Sequence, residues 1–114
     1  MDKRTFAKFV KRDSAMGVDG NPDDGTLIPN HRINRSVGGT DAPSNIVTMG
    51  SIKNGLLESD AEERRIAIRY GWKLESWQDP LEEPFYHLGL RRWFQPDDSF
   101  ELRPVPIPAR MFSL

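Results

Sequence analysis

The chain contains no cysteine in 114 residues, and that absence constrains its fold more than any motif does. A domain this short builds only a modest core, and domains of this size commonly lean on a metal, a disulfide or a partner. Without thiols there is no disulfide, no thiolate zinc site and no thiol nucleophile, so any metal must be held by oxygen or imidazole nitrogen. Imidazoles are scarce too, since His31 and His87 are the only histidines. A structural zinc is therefore not expected.

Hydrophobic residues make up 37% and charged residues 29%, and no segment has the apolar length of a membrane span or signal core. The expectation is a soluble, cytoplasmic protein with no membrane partner. Sixteen Lys and Arg balance 17 Asp and Glu, so net charge makes no case for nucleic acid. The charges are nonetheless segregated. Lys3, Arg4, Lys8, Lys11 and Arg12 come first, Asp19, Asp23 and Asp24 follow, and Arg32 and Arg35 lie in the middle. Such runs most often form solvated surface.

Phe6, Phe9 and Val10 repeat at i, i+3 and i+4 and predict an amphipathic helix over residues 3–12. The Gly-, Asp- and Pro-rich SAMGVDGNPDDG reads as a loop without internal order. TLIPNHRI and NIVTM read as two strands of an irregular hairpin joined by NRSVGGTDAPS. Ser59 as N-cap, Glu62 three residues later and Gly71 at the far end predict a helix over 60–70. Beyond it the chain reads as an irregular aromatic extension, 71–114, with a small hairpin near Trp93 and Phe94. RPVPIPAR is too rich in proline for an internal strand and is expected to be extended, either packed at the periphery or mobile. The whole is expected to be one α+β domain, 1–114, with its core at about residues 26–70.

The residues that carry chemistry come in order: Asn30 and His31 on a strand, Asn45 opening the next, and Asn54 starting a helical stretch. Cutting a phosphodiester needs a base to activate water, a divalent ion to neutralise charge at the phosphate, and a group that orients the base. A strand, loop, strand and helix can supply all three. His31 is the candidate base, Asn45 bonds the hairpin backbone or orients the imidazole, and Asn30 and Asn54 offer amide oxygens to a hard cation.

The segment HRINRSVGGTDAPSNIVTMGSIKNGLLES resembles the HNH endonucleases of actinobacteria and their phages, whose core reads HHRxxRGMGG, then PAN or PSN, then CHG and a helix. FVKRDSAMGVDG is similar to their VxxRDxxxCxxCG opening, IAIRYGW to AxxxGW, and DPLEEPF to DPxxVP. The resemblance implies a ββα-metal core and a metal-dependent DNA endonuclease that nicks phosphodiesters. It makes His31 the general base and Asn45 the middle asparagine. It also places Arg32, Arg35, Gly38 and Gly39 on a phosphate-binding surface and implies magnesium or manganese as cofactor, with DNA as partner.

Two departures bear on that implication. The positions that ligate the metal in the family are Asn30 and Asn54 here, neutral amides with less field at a cation than imidazole or carboxylate. Met16 and Asp19 stand in place of the first CxxC pair, and Met49 and Lys53 fall near the second. The alternative expectation is therefore an inactive HNH-like scaffold that binds DNA or a host protein. His87 lacks a ligand partner at useful spacing and reads as a structural histidine, while Trp72, Trp77 and Trp93 read as packing residues rather than base-stacking platforms.

Overall fold

The computed structural model describes residues 1–112. Helix α1 spans Lys3–Arg12, as its apolar repeat requires, and starts where Asp2 accepts a hydrogen bond from the Thr5 amide. It buries Phe9 and half-buries Phe6 and Val10. Strands β1 (Leu27–His31) and β2 (Ile46–Gly50) pair antiparallel with Leu27 opposite Gly50 and His31 opposite Ile46. Helix α2 (Ser51–Ser59) follows β2 directly, and α3 (Ala61–Arg69) follows α2.

The helix expected over 60–70 is α3, and a second short helix, α2, precedes it. Asp60 rather than Ser59 caps α3, its carboxylate accepting from the amides of Glu62 and Glu63. Ser59 instead ends α2 and donates its hydroxyl to the Gly55 carbonyl. A carboxylate is the stronger cap because it meets the positive end of the helix with a full charge.

The loop between α1 and β1 is organised, contrary to the sequence expectation. Met16 bridges Pro22, the Gly17 amide bonds the Asn21 carbonyl, and the Val18 amide bonds Thr48 on β2. Buried Asp19 accepts from the side chain of Asn21 and from the Gly50 amide at 3.2 Å. One carboxylate thus ties this loop to the end of β2.

The extension after Gly71 is also regular. Strands β3 (Phe85–His87), β4 (Arg92–Pro96) and β5 (Leu102–Val105) form an antiparallel sheet in that order. Pro104 is accommodated because β5 lies at the edge of the sheet, where a missing N–H costs no interior ladder bond. A single buried cluster includes Val18, Val47, Met49, Leu57, Ala67, Trp72, Phe85 and Phe94, so both sheets share one core with α2 and α3. The architecture is α+β. No helix among the described residues is long and apolar enough to cross a membrane.

Trp72 and Trp93 are buried as expected, but Trp77 is 81% exposed, because the turn that carries it lies outside the packed layers. His87 is structural. Its Nδ1 accepts from the Leu90 amide, so Nε2 carries the proton and donates to the Asp13 carbonyl at 2.8 Å.

Candidate functional site

The loop from β1 to β2 is held in shape by Asn45. Its side-chain oxygen accepts from the Ile33 amide at 2.8 Å, and its nitrogen donates to the carbonyls of Ile33 and Thr40 at 3.1 and 2.8 Å. It bonds the hairpin backbone and leaves the imidazole to another residue.

That residue is Asp41. His31 Nε2 lies 2.7 Å from Asp41 Oδ1 and 3.2 Å from Arg35 Nε. One ring nitrogen cannot serve both as donors and acceptors require, and the shorter, charge-assisted contact to the carboxylate takes the ring proton. Arg35 is then fixed by its own fork on Asp41, at 2.8 and 2.9 Å to the two oxygens. Hydrogen bonding from His31, then from Arg35, pulls the exposed Asp41 carboxyl down to about 2. His31 Nδ1 bonds nothing among the described residues and is left with a lone pair.

His31 and Arg35 line a cleft of about 280 Å³ together with Asn34, Asn54, Glu58 and Lys73. Asn30 is buried beneath it, its nitrogen donating to the Trp72 carbonyl at 2.9 Å. That bond aims the Asn30 oxygen toward α2, where Asn54 reaches it at 3.0 Å. Asn30, His31 and Asn54 therefore converge, and Arg35 joins them.

Arg32 does not. The resemblance places it on a phosphate-binding surface, yet it is fully buried, and its guanidinium donates to the carbonyls of Ser44, Gly71, Pro80, Glu83 and Pro84. Burial above all pushes it down to about 9, with help from Arg12 and Arg110, which leaves it charged at neutral pH. It holds the segment after α3 onto the hairpin, because a planar fork can satisfy several carbonyls that a strand would otherwise pair.

Gly38 and Gly39 are likewise internal to the loop. Their amides already donate to the carbonyls of Arg35 and Asn34. Gly38 takes φ 98° as the cap of a 3₁₀ turn, and a Cβ on Gly39 would stand 1.7 Å from the Ile33 oxygen. They face a different hollow, shared with Asn45. They shape the loop and have no amide to spare for phosphate.

Asp41, which pairs with His31, and the cleft residues Asn34, Glu58 and Lys73 are not singled out by the sequence. Glu58 had a signal, since it follows Asn54 by one helical turn at i+4. Asp41 and Lys73 had none. Lys73 is only 4% exposed, and its ammonium donates to the His31 carbonyl, to Asn34 Oδ1 at 2.7 Å and to Glu58 at 3.0 Å. Burial is the main cause lowering its pKa, opposed by Glu58.

The donor set suits a hard cation in one respect and lacks charge in another. Among the described residues, no group of three or more His, Cys, Asp or Glu side chains could hold a metal. Amide oxygens remain, and adjacent ligands of an octahedral ion bonded at about 2.1 Å lie about 3.0 Å apart. That is the Asn30–Asn54 spacing. A half-turn of the Asn54 amide, half-buried at the cleft wall, would present oxygen in place of nitrogen, and Glu58 supplies a carboxylate on the same helix face. With that rotation the residues fit. No family model, curated protein or solved structure matches this chain.

Proposed function

We propose that this chain is an HNH-like ββα-metal domain that hydrolyses DNA phosphodiesters. The observation that carries the reading is the His31–Asp41 contact of 2.7 Å beside a cleft that His31 lines with Arg35, Asn54 and Lys73, its Nδ1 without a hydrogen bond among the described residues. A hairpin, a loop pinned by an asparagine and a following helix give the arrangement such a base requires.

In this reading His31 Nδ1 takes a proton from water, the water oxygen attacks phosphorus, and the bond to the leaving sugar oxygen breaks. Asp41 fixes the ring tautomer and stabilises the imidazolium that forms. Arg35 offers positive charge to the phosphate oxygens, while Lys73, its ammonium spent on His31, Asn34 and Glu58, holds the cleft wall. Asn30, Asn54 and Glu58 would hold a magnesium or manganese ion, which when bound neutralises charge at the scissile phosphate and leaving oxygen.

The test is nicking of supercoiled plasmid with magnesium or manganese. The native chain should convert it to open circle, His31→Ala should not, and Asp41→Asn should be slower by about 10²-fold or more. Cleavage by His31→Ala would overturn the assignment.

One observation favours a second reading. Lys73 places a fixed ammonium against Glu58 at the cleft wall, where it competes with a divalent ion. This suits an HNH-like scaffold that binds DNA or a host protein without cutting. Native protein silent with both metals, combined with cutting by Asn30→His plus Asn54→His, would select it.

A further inference from the structure

A cavity of about 540 Å³ lies away from the His31 cleft, between α1 and the β4–β5 turn. Its wall is apolar, formed by Leu90, Phe94, Phe100 and Leu102, and Lys8 and Lys11 stand at its rim. Arg12 also borders it, but its guanidinium is committed to Asp13 and to the carbonyls of Pro43 and Ile46.

Two independent observations set this cavity apart. The first is a row of cations without close ion pairs, with Asp2 acting on Lys8 only through space. Arg4, Lys8 and Lys11 fall at i, i+4 and i+7 on one face of α1, are exposed, and form no ion pair among the described residues. Arg69, Arg91, Arg92 and Arg103 likewise form none among the described residues, so what marks Lys8 and Lys11 is their place together at the cavity rim. The second is backbone strain. Every non-glycine residue with positive φ among those described either lines this cavity or adjoins a residue that does. Ser14 (70°) and Phe100 (61°) line it, Ala15 (58°) follows Ser14, and Arg91 (55°) follows Leu90. Side chains rarely adopt this region, and strain gathers where surrounding structure must hold a particular surface.

We infer that this cavity binds one nucleotide unit of a single-stranded nucleic acid, its base against the apolar wall at Phe100 and its phosphate on Lys8 and Lys11. A planar apolar body with an attached anion is the chemistry that an apolar wall with a cationic rim selects. Phe100 is tilted against Phe9 with ring centroids 4.8 Å apart, which steadies it as a platform. The Lys8 ammonium rests 5.5 Å from the Phe100 centroid. That exposed cation–π contact is weaker than base stacking, so the flexible lysine yields the ring to a base and turns to the phosphate. Glu101, also on the wall, accepts from base or sugar N–H and O–H groups and disfavours a second phosphate there.

The test is fluorescence anisotropy of a labelled 12-mer of deoxythymidine and of a 12-base-pair duplex, in EDTA. The readout is binding without divalent ion, so a chain that binds here and never cuts fails the catalytic reading alone. The single strand should bind at least about 10-fold tighter than the duplex. Lys8→Gln plus Lys11→Gln should weaken it by about 10-fold and flatten the salt slope by about 1.4. Phe100→Gly, which removes the ring and relieves the positive φ, should weaken the strand by about 10-fold and leave inorganic phosphate binding unchanged. Phe100→Asn, also tolerant of that φ, gives a second reading if the glycine variant melts early. Equal affinity for strand and duplex, an unaltered salt slope in the lysine variant, or binding of phosphatidylserine vesicles in place of the strand would each overturn the inference.

Discussion

The side-chain nitrogen of Asn54 donates to the side-chain oxygen of Asn30 across 3.0 Å, joining α2 to β1 beneath the cleft. Asn30 is fully buried and spends its own nitrogen on the Trp72 carbonyl. Asn30→Ala strands that carbonyl and opens a void, and should cost about 2–3 kcal/mol. Asn54→Ala, at the half-buried partner, should cost less than about 1 kcal/mol. Urea unfolding of both variants checks the order. A costlier Asn54→Ala would show that the pair is not anchored from the Asn30 side.

Arg32 is the strongest test of the fold. Lysine in its place keeps a charge but cannot reach five carbonyls with three protons, so Arg32→Lys should lower stability by about 3 kcal/mol or more. The denaturant midpoint reads this directly. A loss below about 1 kcal/mol would mean that water replaces those contacts and that the segment after α3 is held by packing alone.

Asn45→Asp keeps the acceptor for the Ile33 amide but loses both donors, and sets a carboxylate against the carbonyls of Ile33 and Thr40. It should destabilise by about 2 kcal/mol and speed amide hydrogen exchange across residues 33–42 before the rest of the chain. Uniform exchange would remove the loop-pinning role.

Asp41 makes the His31 contact sensitive to acid. Its carboxyl ordinarily titrates near 3.8 and is held at about 2 here by His31 and then Arg35. The unfolded chain therefore binds more protons in that interval, and the contribution is complete above about pH 4 and lost as pH falls through about 2. Asp41 is exposed, so the effect is small and screened by salt. The melting-temperature gap between native protein and Asp41→Asn should be visible at pH 6 and closed at pH 2. A gap of constant size would show that Asp41 is not ionised against His31.

Some of this molecule is written in short-range pattern. The apolar repeat in α1 and the turn residues around Gly38 act over a few positions, and they form where the residues demand. Asn45 belongs here too, since its three bonds close a loop of 12 residues. The helix break at Asp60 also follows a local rule, a carboxylate outcompeting the neighbouring serine for a helix start.

Other features exist only once distant segments meet. No spacing around Arg32 separates a guanidinium aimed at phosphate from one that grips Gly71 and Pro84, 39 and 52 residues onward. Trp77 stays in solvent while Trp72 is buried five positions earlier, a difference set by which side of a turn faces the shared core. His31 acquired Asp41 through loop closure, and Asn54 acquired Lys73 as a cleft neighbour through packing of the segment after α3. Hydrophobic periodicity specifies which face of an element is buried. Which polar groups then share the resulting clefts depends on how those faces close on one another, and that is decided in three dimensions.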